Sequence, residues 1–143
     1  MGGIQMTKST VPGLVVALLT LGLLAGCRAP ASGDPLSGTN WVLASFNNAA
    51  PLPGRPITLS FESGEVRGSS GCNSYFGTYA VDDDSLTITE VGATAMACLE
   101  PELMEQESAF LLRLAGVRRY TLSDDRLQLF AAEDQTLSFD PQP

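Results

Sequence analysis

The chain has 143 residues, a length typical of one domain, and a formal net charge of −8 at pH 7. It contains no histidine, which excludes Ser-His-Asp triads, Cys-His pairs and histidine metal ligands. The acidic balance argues against nucleic-acid binding, which depends on neutralising phosphates with Lys and Arg. We therefore predict no enzymatic activity, no cofactor, no metal site and no nucleic-acid partner.

The first 26 residues have the layout of a bacterial lipoprotein signal peptide. Lys8, the single lysine, precedes an apolar run at residues 11–24 (VPGLVVALLTLGLL), which is too short to span a bilayer as a helix. The sequence LAGC, ending at Cys27, resembles a lipobox, where a peptidase cuts before a cysteine that is then acylated. An ordinary signal peptide with an unrelated cysteine is the alternative. We expect a mature protein of residues 27–143, anchored by lipid on Cys27.

Residues 28–38 (RAPASGDPLSG) are rich in Pro, Ala, Ser and Gly, a composition typical of linkers. Together with Cys27 they define a predicted lipidated tether over residues 27–38, followed by a folded domain over residues 39–141. We expect an extracytoplasmic protein held on a bacterial membrane by its lipid. Arg28 stands where an aspartate is associated with inner-membrane retention, which favours the outer membrane, facing the periplasm, in a cell that has one.

After the tether the chain has the pattern of short strands separated by turns. Leu59 and Phe61 alternate with polar residues, so one face of their strand is buried. Residues 63–64 (SG) and the three aspartates at 82–84 mark turns; the aspartates lack the spacing of a calcium-binding loop. Eight strands are predicted near residues 41–46, 57–61, 66–68, 75–81, 86–88, 117–122, 127–130 and 137–139. The residues predicted to form the aromatic core are Trp41, Phe46, Phe61, Phe76, Tyr79 and Phe110.

Between the fifth and sixth strands, residues 101–115 (PELMEQESAFLLRLA) change to helical spacing. Pro101 suits the first helical position, and Gly116 is expected to end the helix in a left-handed conformation. The glutamates at 100, 102, 105 and 107 are predicted to form its wet face, although Glu107 shares the spacing of the apolar stripe. We predict an α+β fold, a strongly curved or barrel-like antiparallel sheet of about eight short strands with one packed helix.

Two cysteines remain once Cys27 is assigned to the lipid. Cys72 and Cys98 would be exposed to an oxidising compartment, where disulfides form and persist. A thiolate nucleophile needs a nearby cation or base, and a zinc site needs four ligands, which two cysteines without histidine do not supply. The sequence favours a structural disulfide, with free or reactive thiols as the alternative.

Two motifs carry a family resemblance: GCNSY followed by glycine and tyrosine in the fourth strand, and ATAMAC before the helix. The residues that form this paired pattern are Gly71, Cys72, Asn73, Tyr75, Gly77, Tyr79, Thr94, Met96 and Cys98. The pattern resembles the META domain, also called HslJ-like, over roughly residues 37–141. The resemblance implies an exported domain or lipoprotein with a curved sheet or cracked barrel and one helix, tied to envelope stress, antibiotic tolerance and virulence. It implies no catalytic residues, and the basic residue common in the family is Ala95 here.

Two hypotheses of function follow from different classes. The first is a non-enzymatic, lipid-anchored binding or assembly module, which would bind a protein partner or an apolar ligand in the envelope. Its predicted binding face is the apolar helix stripe of Phe110, Leu111 and Leu114. The second is a carboxylate-based enzyme acting on envelope glycans, which requires an acid with a strongly raised pKa in a cleft. A pilotin-like lipoprotein that escorts a secretin or binds lipid is a further alternative implied by the resemblance. The sequence does not predict an oligomeric state.

Overall fold

The structure is a computed structural model that describes residues 2–3 and 33–143; the predicted lipidation site Cys27 lies outside the described residues. Residues 33–143 contain eight strands and one helix, as the sequence predicts. In chain order they are β1 (Asn40–Phe46), β2 (Thr58–Glu62), β3 (Glu65–Ser69), β4 (Ser74–Asp82), β5 (Ser85–Ala93), α1 (Pro101–Ala115), β6 (Val117–Ser123), β7 (Arg126–Ala131) and β8 (Thr136–Pro141).

The strands form a closed antiparallel barrel in which each strand pairs with the next and β8 pairs with β1. The closing pair aligns Leu43 with Phe139, and both side chains are buried inside. Ser63 and Gly64, at φ 51° and 86°, join β2 to β3 in a two-residue turn with positive φ at both positions, which matches the twist of a hairpin. The predicted barrel-like sheet is therefore confirmed as a closed barrel.

The barrel is weakest between β5 and β6, where one residue pair, Ser85 and Arg119, connects the two strands. Helix α1 lies in this connection and packs beside β5. Its Phe110 ring meets the rings of Tyr75 and Phe46 edge to face, with centroids 5.3 and 6.5 Å apart. The helix therefore completes the core at the end of the barrel where β1 ends and β4 begins. Among the described residues, no helix is both long enough and apolar enough to cross a membrane.

The segment before β1 is part of the fold, so the predicted tether over residues 27–38 is wrong for its last five residues. Leu36 is fully buried in the core, and its backbone N–H donates to the Asp34 carboxylate at 2.9 Å. The other oxygen of Asp34 accepts a hydrogen bond from the Tyr79 hydroxyl. Gly38 donates to the Phe61 carbonyl at 2.8 Å. This segment covers the end of the barrel opposite α1.

Two local predictions are wrong as well. Gly116 ends the helix at φ −85°, in the right-handed region, and its N–H donates to the carbonyls of Leu112 and Arg113 as a continuation of the last turn. Phe76 is 61% exposed and does not belong to the core. Alternation along β4 explains this, because Tyr75, Gly77 and Tyr79 point inward and Phe76 therefore points outward.

Candidate functional site

Asn73 joins the two halves of the signature to the helix. Its backbone N–H and side-chain amide donate to the two carboxylate oxygens of Glu107 at 2.9 and 2.7 Å. Its amide oxygen accepts from the Met96 backbone N–H at 2.8 Å and from the Thr94 hydroxyl at 2.9 Å. The Ser70 hydroxyl also donates to Glu107. The hydrogen bonds of the signature residues therefore connect three segments: the β3–β4 turn, the loop after β5, and α1.

Glu107 is a buried carboxylate, 5% exposed, and not part of the wet face as predicted. Burial by itself raises the pKa of a carboxyl group. Here hydrogen bonds from Ser70, from the amide and backbone of Asn73, and from the backbone of Cys72 outweigh burial and lower the pKa of Glu107 below its ordinary 4.5. The group is therefore a charged acceptor that ties α1 to the β3–β4 turn. The other three glutamates of the predicted wet face are exposed.

Cys72 and Cys98 lie at disulfide distance, with Cα atoms 6.1 Å apart. Cys72 is buried, and Cys98 is half-buried in the loop that also carries Met96. The pair joins the β3–β4 turn to the loop between β5 and α1, next to the hydrogen bonds of Asn73. The loop is thus held at two neighbouring points.

The remaining signature residues have roles in the backbone and core. Gly71 adopts φ +103°, a conformation that residues with a side chain rarely take. A Cβ at Gly77 would lie 3.0 Å from the Thr89 carbonyl oxygen and 3.2 Å from Val66, so a larger residue there would push against both neighbouring strands. The Tyr75 hydroxyl donates to the Thr58 carbonyl at 2.7 Å inside the core, and burial raises the pKa of Tyr75.

The predicted binding face on the helix is wrong. Phe110 and Leu114 are fully buried and Leu111 is half-buried against the core. The apolar stripe packs α1 onto the barrel, because an amphipathic helix buries its apolar side against the core. Phe110 and Leu114 cannot meet a partner unless the fold opens, and Leu111 is covered in part by the core.

An exposed apolar surface lies instead in the loop that the signature residues fix. Leu99 is 96% exposed and Met96 is 61% exposed. Next to this loop, a groove of about 390 Å³ separates Leu52 and Arg55 from the start of α1. The Leu52 backbone N–H donates to the Gln106 side chain at 2.6 Å, which positions the far wall of the groove. We name Met96 and Leu99, both on the loop between β5 and α1, the loop surface.

Sequence analysis did not single out Leu52 or Leu99. Leu99 lies between a cysteine and the start of the helix. It belongs to no run of apolar residues at strand or helix spacing, so no periodic pattern marks it. The part of the chain that the structure describes contains no group of three or more His, Cys, Asp or Glu side chains placed to hold a metal ion. The loop surface is apolar, and the acidic residues Glu100 and Glu102 follow it along the chain.

The fold described above, a closed antiparallel barrel with one helix packed against it, is that of a small β-barrel domain. The META domain family matches residues 34–143, so the chain belongs to the META domain family. The match begins at the same Asp34 that opens the folded segment before β1. A search among curated proteins found no match.

Three solved structures are similar to the chain. An NMR structure of a protein from Burkholderia xenovorans shares 32% identity at a TM-score of 0.66, covering 75% of this chain and 83% of that one. Another NMR structure shares 27% identity at a TM-score of 0.62, covering 74% and 91%. A crystal structure of a DUF4847 family protein from Bacteroides vulgatus, at 16% identity and TM-score 0.54, covers 76% and 97% and shows likeness of fold alone.

Proposed function

We propose that the chain is a non-enzymatic, lipid-anchored binding module of the bacterial cell envelope, which supports tolerance of envelope stress or antibiotics by holding a partner protein at the membrane. The loop surface is the observation that carries this proposal. Leu99, at 96% exposure, has almost its whole side chain in water. Contact with a partner would remove this apolar area from water.

The loop is already ordered for binding. Met96 is held through both its backbone N–H and its carbonyl by Asn73, at 2.8 and 3.2 Å. Cys98, two residues further on, lies at disulfide distance from Cys72. A segment fixed in this way loses little conformational freedom when a partner binds, so more of the contact energy appears as affinity.

The charges around the loop surface indicate the chemistry of the partner. Glu100 and Glu102 line the groove beside Leu52, and Glu105 is exposed one turn further along α1. Arg55 is the single cation in the groove lining. A partner protein that presents an apolar side chain flanked by Lys or Arg would complement this surface.

The buried carboxylate gives no support to the enzyme hypothesis. A glycan-cleaving acid needs a raised pKa in an open cleft. Glu107 has a lowered pKa, and its oxygens are occupied by Ser70 and Asn73. We therefore assign Glu107 a structural part in the binding module.

The test is complementation of a strain that lacks the gene. Leu99→Asp places a charge on the loop surface, and Thr121→Asp places the same charge on an exposed position of β6 as a matched control. We expect the Leu99 variant to fail to restore survival under envelope stress at equal membrane abundance, while the Thr121 variant restores it. Full rescue by both variants would overturn the proposal. Cys27→Ser tests the anchor separately, because it should move the protein out of the membrane fraction.

A further inference from the structure

A second concave surface lies on the outer face of β3, β4 and β5 and shares no lining residue with the groove beside Leu52. It is a groove of about 530 Å³, within the size range of small-molecule sites. Its apolar part is the ring of Phe76, which is 61% exposed. The ring lies directly over Gly92, since a Cβ at that glycine would lie 2.8 Å from the ring. Phe76 therefore presents an exposed aromatic surface to the groove.

Phe76 differs from two other phenylalanines near the surface. Phe46 and Phe130 each have a guanidinium over the ring, from Arg113 at 5.6 Å and from Arg119 at 5.1 Å. Within residues 33–143, Phe76 has no cation over its ring, although Arg67 is its cross-strand neighbour. Arg67 is engaged in an ion pair with Glu62 instead. The negative face of the Phe76 ring is thus open to a cation from outside.

Two carboxylates line the same groove. Glu65 lies on β3 and Glu90 on β5, and neither forms an ion pair with another described residue. Glu90 accepts a hydrogen bond from the Thr78 hydroxyl at 3.2 Å. It occupies a bulge of β5 at φ 55°, where glycine or asparagine would fit with less strain. Strained backbone of this kind is concentrated at functional sites, and here it places a carboxylate at the groove.

We propose that this groove binds a small organic cation, a protonated alkylamine that lies against the Phe76 ring and places its ammonium groups near Glu65 and Glu90. An aliphatic amine supplies both the apolar contact and the charge that this lining complements. Arg67 also lines the groove, but its guanidinium is paired with Glu62, which lies outside the lining, so the two carboxylates keep the lining acidic. This site includes neither Met96 nor Leu99, and the proposal does not depend on the function of the loop surface.

The test uses the full chain in nonionic detergent, titrated with 1,5-diaminopentane and followed by NMR and calorimetry. The matched neutral probe is 1,5-pentanediol, which has the same chain length without charge. We expect saturable shifts of the Phe76 ring signals with the diamine, weakening as salt is added, and none with the diol. Equal binding of the diol would overturn the proposal and point to a neutral ligand such as a sugar.

Variants separate the site from the general acidity of the chain. Phe76→Leu keeps an apolar side chain over Gly92, and we expect it to weaken diamine binding about two- to fivefold. Gly92→Ala displaces the ring without changing any charge and should weaken binding in the same direction. Glu90→Gln should weaken binding, whereas Glu133→Gln, which removes an exposed charge from the β7–β8 turn, should not. An equal loss in both glutamine variants, or none in Phe76→Leu, would overturn the proposal.

Discussion

Glu107 and Asn73 are joined by two hydrogen bonds, one from the backbone N–H of Asn73 at 2.9 Å and one from its side-chain amide at 2.7 Å. The same asparagine accepts a hydrogen bond from the Met96 backbone at 2.8 Å. A single residue therefore connects α1 to the loop that carries the exposed Leu99. The position of the loop surface depends on a carboxylate that lies on the helix following it.

Replacing Glu107 with glutamine should destabilise the fold. The side-chain shape is kept, but one carboxylate oxygen becomes an N–H₂ group that faces the donors Ser70 and Asn73. We expect a loss of about 2–3 kcal/mol in the free energy of unfolding, measured in urea. Glu105→Gln, an exposed change on the same helix, should stay within about 0.5 kcal/mol of the wild type. Similar losses in both variants would show that Glu107 is not the anchor of this network.

The contribution of Glu107 should depend on pH in a defined direction. Its pKa in the folded protein is lower than the ordinary 4.5, so the unfolded chain binds its proton first as the pH falls. The stabilisation is complete above the unfolded pKa and is lost as pH decreases through the folded pKa. The difference in unfolding free energy between wild type and Glu107→Gln should be constant from pH 6 to pH 7.5 and shrink below about pH 4.5. A difference that grows on acidification would contradict the assignment.

The cysteine pair should form a disulfide in the mature protein. Alkylation without reductant should leave Cys72 and Cys98 unlabelled, and labelling of both would show free thiols. Replacing both with alanine should cost about 3 kcal/mol, because the bond closes a loop with a sequence separation of 26. Reduced wild-type protein serves as the control, since it should lose a similar amount of stability without any substitution.

Leu36→Ala tests whether the segment before β1 belongs to the domain. The side chain is fully buried, so we expect a loss of about 2–5 kcal/mol in unfolding free energy. Leu99→Ala removes the same atoms from an exposed position and should change stability by no more than about 0.5 kcal/mol. If the two variants behaved alike, residues 34–38 would be part of the tether after all.

The strands and the helix could be predicted because each has a local signal. Alternation at Leu59 and Phe61 identifies a half-buried strand, and the Ser63-Gly64 turn marks its end. The inward and outward sides of β4 also follow from alternation, which places Phe76 outside. The aromatic character of Phe76 favours the core, but alternation is the stronger signal at this position.

The rest of the site depends on contacts between distant parts of the chain. Helical spacing places Glu107 on the buried stripe, whereas its charge favours solvent. The donors that allow its burial are Ser70 and Asn73, which lie far from it in sequence and cannot be read from the helix. Leu36 lies in a stretch rich in Pro, Ser and Gly. This composition indicates a linker more strongly than a single apolar residue indicates a core position. The apolar helix face has the same local pattern as a free binding surface, and its packing against the barrel depends on contacts with strands distant in sequence.

The most direct test of the binding-module proposal is photo-crosslinking in living cells, with the crosslinking amino acid placed at position 99 and, as control, at position 121. We predict that position 99 links the chain to one protein, that position 121 does not, and that the purified partner binds wild type more tightly than Leu99→Asp. Partner contact sites should be apolar and flanked by Lys or Arg. No crosslink from position 99, or the same products from both positions, would contradict the proposal that the loop surface binds a partner.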